Sequence, residues 1–536
     1  MRGGLERWKR GVGSRGSRNA IAYALEGTCD AHMSSSTGAE ALGTYSAASD
    51  ATVSRFIVDN GVITTDQLNA RGLRVWLSGY DPITGEERGH QRLSPDADLL
   101  LDGTLNHAKS YSLAALLHPE LADEFEALQD RLRERILLTW QTELHARRGH
   151  GGLVREEITR IEVVELQHRR SRALDPHIHS HLWLNIKVLG ADGKWSNLDS
   201  RVAMKLHTVI NAEGELAART DSAWIAALAR HGYTLDDAGE IAELAGAVRP
   251  LSRRSSQIEA NRAGLITEWS AEHDGSAPSA EVLQQIDRRA WAVARPNKLA
   301  DLDEVSLESR IRDEIASIDP HLLVARAPIT IVPTDVHALD LDLLAAAAIV
   351  DADDRSTSCG GRFSTFDLRA GAIRALSRTG IVAPREELDV VIAQISTRAI
   401  QTVYRLVGEM PPAHVKAFMA TETVRGKIRL AGRLDALAQA GRSLLPAELR
   451  RLSGSEDLST LDALAERRCV RDRRDRWPRD GHRPRRHWQD DDAAHGIRSS
   501  PVAEAADARR RADPESGVGG FPRDRGCGIQ HSCVAR

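Results

Sequence analysis

The chain has 536 residues, of which 28% are charged, and a formal net charge of −4. This length predicts two to four domains with a sizeable core, and the small net charge does not by itself indicate a nucleic-acid binder. No apolar run is long enough to span a bilayer and no signal-peptide pattern is present, so we expect a cytoplasmic protein without a membrane segment. The five cysteines show no CxxC pair, so neither a disulfide framework nor a zinc ribbon is indicated.

Two early stretches differ in how clearly they predict structure. Residues 1–20 are rich in Gly, Arg and Ser and form a leader in which no strand is predicted. Residues 122–147 predict a long amphipathic helix, because apolar side chains recur there at helical spacing. We expect this stripe to face the core; it consists of Phe125, Leu128, Leu132, Ile136 and Trp140.

Two histidine-bearing strands follow. Residues 177–188 alternate and are rich in apolar and β-branched side chains, which predicts a strand with His177, His179 and His181 on one face. These three cannot bind a single ion, because His177 and His181 would lie roughly 13 Å apart at ~3.3 Å per residue. A third ligand must therefore come from a neighbouring element.

The preceding stretch supplies that ligand. Residues 158–168 also predict a strand, and they end in His168. The polar connection 169–176 lets the two strands pair antiparallel, so that His168 faces His179 and His181. Three neutral imidazoles leave coordination positions open, which predicts a catalytic divalent ion; the alternative is a polar sheet face whose histidines contact water.

Basic residues are expected around this strand pair, where a phosphate backbone would run, although such charges are often only solvated surface. They are Arg169, Arg170, Arg172, Lys187 and Lys194. Farther along, residues 203–300 alternate helical segments with polar turns. A linker is expected near 300–325, and residues 356–466 are predicted to be mostly helical.

Three sequence blocks resemble one family. The spacing of His168, ten residues, His179-x-His181 is similar to the metal motif of the MobF-class conjugative relaxases (the TrwC/TraI type). Residues 251–259 are similar to a segment near the end of that family's nicking domain. Its strand-to-helix segment Asp-x-Thr-x-x-x-x-Lys-Ser is matched by Asp102, Thr104, Lys109 and Ser110.

The resemblance covers roughly residues 21–300 and implies an α+β fold, an antiparallel-sheet relaxase domain of the HUH-endonuclease type. Residues 301–467 would then form a mostly helical connector, which resembles the region before the family's helicase motor. Residues 1–20 do not look like the first strand of such domains, which suggests a misassigned start codon or a damaged N-terminus. Residues 468–536 are expected to form a disordered tail.

The family nicks one DNA strand at a plasmid transfer origin, through a tyrosine that becomes linked to the 5′ phosphate. By position the resemblance implies Tyr23 as the nucleophile, although Ala24 follows it where many relatives carry a tyrosine doublet. Tyr45 is the rival, and a chain without a competent nucleophile is the third reading. A phenol has a pKa near 10, so it needs a base or a nearby charge to assist it.

The resemblance also implies roles for other residues. Asp102 would fix the tautomer of a metal histidine or accept the phenolic proton, unless it is only a helix N-cap or surface aspartate. Lys109, Arg170, Arg172 and Lys194 are expected to contact DNA. The ion would be Mg²⁺ or Mn²⁺, with Zn²⁺ as an alternative.

The expected function is metal-dependent, strand-specific nicking and strand transfer on single-stranded or supercoiled plasmid DNA. Accessory relaxosome proteins and a coupling protein are the further partners that the resemblance implies. Two alternatives stay open at this point. The chain could be a non-catalytic DNA-binding remnant of a relaxase, or a rolling-circle replication initiator with the same histidine chemistry.

The tail lacks a nucleotide-binding loop. From Cys469 onward it contains fifteen arginines, eleven acidic residues and no lysine, and the chain has no GxxxxGK[ST] motif. One permitted coding sequence for residues 481–494, read one nucleotide later, gives Val-Thr-Gly-Pro-Ala-Gly-Thr-Gly-Lys-Thr-Thr-Met-Leu, a phosphate loop where the family's helicase begins. We therefore predict a frameshift near Arg468 and no ATPase; the alternative is an ordinary basic disordered tail.

Overall fold

The computed structural model describes residues 3–11, 20–21, 52–91, 94–171, 173–293 and 304–439. The strands within them are β1 Leu5–Lys9, β2 Thr52–Asp59, β3 Val62–Asn69, β4 Asp98–Asn106, β5 His145–Arg148, β6 Val154–Arg170, β7 Pro176–Asn185, β8 Lys187–Gly190, β9 Trp195–Asn197, β10 Tyr404–Arg405 and β11 Phe418–Met419.

The α-helices are α1 Ala70–Leu77, α2 Lys109–Leu117, α3 Pro119–Glu143, α4 Ser200–Thr220, α5 Ser222–Arg230, α6 Ala245–Val248, α7 Arg253–Glu272, α8 Ala280–Ala292, α9 Glu304–Ile318, α10 Leu341–Arg355, α11 Thr365–Ser377, α12 Arg385–Thr402 and α13 Thr421–Gln439. Short 3₁₀ turns lie at His150–Gly152, Ala242–Leu244, Pro320–Leu323, Val336–Ala338 and Thr357–Cys359. No helix in this part of the chain combines the length and apolar character that crossing a bilayer requires.

One antiparallel sheet organises the first half of the chain, which confirms the predicted α+β class. Its strand order is β1-β4-β7-β6-β2-β3, and the short strands β5 and β8 pair with β6 beyond that path. The two histidine strands, β6 and β7, are therefore central neighbours. The strand predicted over 177–188 is divided in two at Ile186. The second part, β8, does not continue the ladder with β4 and pairs with β6 and β9 instead.

The leader contains a strand that the sequence analysis did not predict. Leu5–Lys9 pairs with β4 as β1, and Leu5 is buried in the main core. The expectation that residues 1–20 lack a first strand is therefore wrong for this segment. Its Gly- and Arg-rich flanks obscured it, because only alternate side chains of a five-residue edge strand need to be apolar.

Alternation along the strands gives the sheet two different faces. Leu182 and Leu184 of β7 belong to the core that packs against α3 and α4, whereas Trp183 belongs to a second cluster with Trp76 of α1. His177, His179 and His181 share the parity of Trp183. The histidines therefore lie on the α1 side of the sheet, away from the larger core.

The predicted amphipathic helix is α3, and every residue of its predicted stripe is buried. The predicted C-terminal boundary at 147 is wrong. The helix ends at Glu143, because the next residues form β5 and pair with the start of β6. Tertiary pairing thus overrides helical propensity at this boundary.

The C-terminal helices pack onto the half of the chain that contains the large sheet. Helices α10 to α12 contribute to the same core as the sheet, and Arg385 of α12 forms an ion pair with the buried Glu213 of α4 at 2.7 Å. The linker expected near 300–325 is instead α9, which buries Leu307, Ile311 and Ile315. The chain divides into two compact units, Met1–Thr421 and Glu422–Arg536; the predicted tail lies outside the described residues.

Candidate metal centre and active site

The β6–β7 hairpin brings three histidines together. His168 pairs directly with His179, and Leu166 pairs with His181, so all three imidazoles lie on one face of adjacent strands. Their ring centroids are 5.1–5.4 Å apart. The antiparallel arrangement that the sequence predicted therefore exists, and it places these side chains next to one another.

The spacing of the ring nitrogens suits one metal ion. One nitrogen from each ring lies within 4.8 Å of the others, and His168 Nδ1 is 3.4 Å from His179 Nε2. Two nitrogens that each lie ~2.0–2.1 Å from a tetrahedral ion are about 3.3 Å apart. The side chains thus need little rearrangement to bind an ion together.

Hydrogen bonds orient two of these rings. His181 Nδ1 lies 2.9 Å from Asp102 Oδ1, and His179 Nδ1 lies 2.8 Å from the carbonyl oxygen of His177. A carboxylate or carbonyl oxygen only accepts, so Nδ1 carries the proton in both rings and Nε2 carries the lone pair. This is the tautomer that metal binding through Nε2 requires.

Asp102 occupies the middle of β4 and is 4% exposed. The alternative that it is a helix N-cap or a surface aspartate is therefore excluded. In the β4–β7 ladder Asp102 lies opposite Trp183, and Thr104 lies opposite His181. The carboxylate therefore approaches the histidine diagonally. Asp102 can hold the His181 ring by this contact.

His177 lies beside the cluster without belonging to it. Its ring stacks on His179 with centroids 4.5 Å apart, but its nitrogens are not part of the three-histidine group. Burial holds the pKa of His177 well below its usual value, so the ring is neutral near pH 7. Its ring only stacks on the cluster, whereas its backbone carbonyl forms a hydrogen bond with His179.

A family model for the TrwC relaxase matches residues 31–318, more than half of the chain. The chain belongs to the TrwC relaxase family. The match includes every histidine described above and Asp102, and it agrees with the relaxase type that the three sequence blocks resemble. No curated protein matches the chain.

Solved structures are also similar to this TrwC-family chain. A metal-free structure of the conjugative relaxase TrwC with oriT DNA is 19% identical, with a TM-score of 0.42, over 59% of this chain and 99% of that one. A TrwC complex with a 27-mer DNA that carries the recognition hairpin and cleavage site is 18% identical, with a TM-score of 0.41, over 59% and 98%. A metal-bound structure of TrwC in complex with oriT DNA is 19% identical, with a TM-score of 0.42, over 59% of this chain and 98% of that one.

The strand-to-helix block of this relaxase-family chain supports the hairpin. The ammonium of Lys109 donates to the carbonyl oxygen of Pro176, the first residue of β7. Burial lowers the pKa of Lys109 to about 8. Ser110 Oγ donates to Glu240 Oε2 at 2.6 Å and so fixes the start of α2. The DNA contact expected for Lys109 stays a prediction.

The third block holds the hairpin loop from the other side. Arg253 Nε donates to Asp175 Oδ1 at 2.7 Å, and the backbone N–H of Arg254 donates to Asp175 Oδ2 at 3.3 Å. Asp175 is 1% exposed and also accepts a hydrogen bond from Ser171 Oγ at 3.2 Å. Sequence reasoning assigned no role to Asp175 or Arg253; their shared position in family-like motifs was the only signal.

The basic residues do not gather as the sequence suggested. Arg170 lies at the histidine end of β6 and approaches Glu308 at 3.5 Å, and Arg172 lies outside the described residues. Lys187 is 6% exposed and donates to the carbonyl of His90. Lys194 follows the end of β8, which pairs with Ile158, ten residues and roughly 33 Å along β6 from His168.

The expectation of one basic cluster around the hairpin is therefore wrong for these two lysines. The distance of these lysines from the histidines could not be predicted from the sequence, because it depends on where β7 ends and β8 begins. A DNA contact of Lys194 at its distant position stays a prediction.

The predicted nucleophiles, Tyr23 and Tyr45, lie outside the described residues. The chain just before Tyr23 is described: Ala20 and Ile21 are buried in the cluster that includes Leu166 and Trp183. Leu166 is two residues from His168, and Trp183 is two residues from His181. Residues 20–21 thus lie on the histidine side of the sheet.

Proposed function

We propose that this chain is an active relaxase, which nicks one strand of plasmid transfer-origin DNA and forms a phosphotyrosine bond to the 5′ phosphate. His168, His179 and His181 would hold one divalent ion, and Tyr23 would be the nucleophile. The observation that carries this proposal is the preorganised histidine cluster with Asp102 fixed behind it.

The reaction exchanges one phosphodiester bond for another. The phenolic oxygen of Tyr23 would attack the phosphorus, the bond to the 3′ oxygen would break, and that oxygen would leave with a proton as a free 3′ hydroxyl. The phenolic proton would pass to water or a neighbouring base. A bound ion would polarise the scissile phosphate and offset its negative charge. The contact between Asp102 and His181 supports an orienting role for Asp102.

The donor set bears on the choice of ion. Three imidazole nitrogens suit Mn²⁺ or Zn²⁺ better than Mg²⁺, because Mg²⁺ prefers oxygen ligands. The three ions that the sequence analysis named are thereby ranked, with Mg²⁺ last unless phosphate oxygens of the substrate complete its coordination. A calorimetric titration with each ion alone would test this order.

The position of residues 20–21 supports Tyr23 over Tyr45. Ala20 and Ile21, which directly precede this part of the sequence, are buried on the sheet face that carries the histidines. We propose that Arg170, at the histidine end of the hairpin, contacts the DNA backbone, and that Arg172 does so too. Accessory relaxosome proteins, a coupling protein and a cytoplasmic site of action stay predictions that the family suggests.

The test is a nicking assay on supercoiled plasmid that carries the transfer origin from the same genetic element, with Mn²⁺ or Zn²⁺. Wild-type protein should relax the plasmid and leave a covalent DNA–protein adduct in denaturing gels. Tyr23→Phe should abolish the adduct but retain single-strand binding, because binding depends on phosphate contacts and stacking. An adduct mapped by mass spectrometry to Tyr45 would refute Tyr23, and the absence of any adduct would favour a non-catalytic remnant.

We further propose that the chain has no DNA-stimulated ATPase, because no phosphate loop is encoded in frame. A chain truncated after residue 467 should nick as well as the full chain. An ATPase that purifies with the full chain and disappears on truncation would contradict the frameshift hypothesis.

A further inference from the structure

Strand β7 begins before its neighbour β4 can pair with it. The β4–β7 ladder ends where Asn106 lies opposite His179, yet β7 starts three residues earlier, at Pro176. On the β4 side the chain has already turned into α2, which begins at Lys109. The edge of β7 from Pro176 to Ile178 therefore extends past the end of the β4 ladder, although it directly precedes a proposed metal ligand.

Side chains from the first turn of α2 pair with this backbone edge. The Lys109 ammonium donates to the Pro176 carbonyl, and the backbone N–H of Ile178 donates to Ser112 Oγ at 2.9 Å. Lys109 and Ser112 are three positions apart, so they lie on one face of the helix. Ser112 is buried, and burial of Lys109 excludes most of the water that would compete for the carbonyl.

The residue between the two clamped positions is His177. Its carbonyl oxygen accepts the hydrogen bond from His179 Nδ1 at 2.8 Å. A shift of this peptide would therefore rotate the His179 ring or change its tautomer. These contacts connect α2, through the backbone of residues 176–178, to the imidazole of His179, which faces His168.

We propose that Lys109 and Ser112 form a clamp that positions His179 for metal binding by fixing the backbone at His177. They are positioning residues and do not touch the ion. The inference rests on the proposed metal site and assigns a structural reason to Lys109 of the strand-to-helix block and to Ser112, which follows the block.

The experiment is a calorimetric titration of the full chain with Zn²⁺ alone, at a temperature where every variant is folded. Lys109→Met and Ser112→Ala should each raise the Kd for Zn²⁺ roughly tenfold, the low end of the effect of removing a group that orients a metal ligand. Lys109→Arg and Ser112→Thr keep a donor and a hydroxyl and should restore most of the affinity. Saturating Zn²⁺ should restore nicking by the weak variants.

Matched controls separate positioning from general loss of stability. Lys187→Met removes another buried hydrogen bond from a lysine to a backbone carbonyl. Ser377→Ala removes another buried hydrogen bond from a serine to the backbone. Both bonds lie away from the three-histidine cluster. Neither control should change the Kd for Zn²⁺ more than about twofold, well below the clamp effect. Equal losses in controls and clamp variants, or no loss in the clamp variants, would overturn the clamp.

Single-strand DNA binding distinguishes the clamp from a phosphate contact. A Lys109 that bound phosphate would weaken DNA binding in Lys109→Met and not in Ser112→Ala, whereas the clamp predicts the same Zn²⁺ phenotype for both. If the wild-type chain binds no Zn²⁺, the proposed metal site itself fails. If the wild type binds and both clamp variants bind equally well, only the clamp fails.

Discussion

Two polar clusters lie on the same face of β6, six residues apart, and they differ in composition. Around Glu162, three arginines meet three carboxylates: Arg55, Arg88 and Arg160 contact Glu162, and Asp66 and Asp81 complete the pairs. Trp76 also donates to Glu162 Oε2 at 2.8 Å. Each charge in this cluster has an opposite charge within the protein.

Around His168 the cluster consists of three chemically identical rings. Imidazoles that converge through their nitrogens provide lone pairs, and Asp102 supplies a negative charge behind His181. The balance of charges and lone pairs separates a structural network from a binding site. The Glu162 cluster pairs its charges within the protein, whereas the histidine cluster presents converging nitrogens whose spacing suits a divalent ion.

The largest expected effect would break the histidine cluster. His179→Ala or His181→Ala should reduce Zn²⁺ binding and nicking below detection, because two remaining imidazoles cannot hold the ion against water. His177→Ala is the matched control: it removes a stacked ring but keeps the backbone carbonyl, so most activity should remain. Calorimetry and plasmid nicking measure both properties. Equal damage from His177→Ala would mean that the three ligands are wrongly assigned.

The next largest effect, a loss of stability, is expected when the Glu162 charge network is broken. Glu162→Gln keeps the shape of the side chain but leaves Arg55 and Arg88, each about 1% exposed, without their shared carboxylate. Removal of one partner from a buried ion pair costs about 3–5 kcal/mol. Urea unfolding should show this loss, whereas the exposed Glu157→Gln should change the free energy of unfolding by less than about 0.5 kcal/mol.

This variant also sharpens the comparison. At a temperature where Glu162→Gln is folded, its Zn²⁺ affinity should equal that of the wild type, because the network stabilises the sheet and does not contact the histidines. A large loss of affinity without a loss of stability would contradict the division into a structural and a binding cluster.

A smaller effect is expected at Asp102. Asp102→Asn replaces an acceptor by a group that can also donate, so it no longer enforces the Nδ1–H tautomer of His181. The Kd for Zn²⁺ should rise about 10–100-fold. Asp98→Asn, on the same strand, is the control; its carboxylate contacts Lys9 and Ser200, so the Kd should be unchanged. An unchanged Kd in Asp102→Asn would remove Asp102 from the site.

Period-two alternation and strand length were enough to predict the histidine hairpin, because register in a sheet follows from local pattern. The contact of Lys109 with Pro176 could not be predicted, since it depends on the β4–β7 ladder leaving out the first three residues of β7. The packing of Arg385 on Glu213 joins residues 172 positions apart, and no local pattern encodes such a contact. Family resemblance pointed to Asp102, but only the structure shows which histidine it contacts.

A third kind of buried polar group gives the smallest expected effect. His107 is 8% exposed, packs between Tyr111 and Phe125, and neither of its ring nitrogens has a hydrogen-bond partner in the described part of the chain. It has neither the opposite charges of the Glu162 cluster nor the converging nitrogens of the metal cluster. Burial lowers the pKa of His107 to about 3 in the folded protein.

This depressed pKa predicts how stability should depend on pH. In the unfolded chain His107 binds a proton below its ordinary pKa of ~6.5, whereas in the folded chain it stays neutral down to about pH 3. Stability is therefore complete above pH ~6.5 and falls as the pH decreases, by about 1.4 kcal/mol at pH 5.5. His107→Leu should remove this part of the pH dependence, so that the variant gains stability relative to the wild type between pH 7.5 and 5.5. Urea unfolding at both pH values, with all other titrating groups common to the two proteins, isolates the difference; parallel pH profiles would show that His107 is protonated equally in both states.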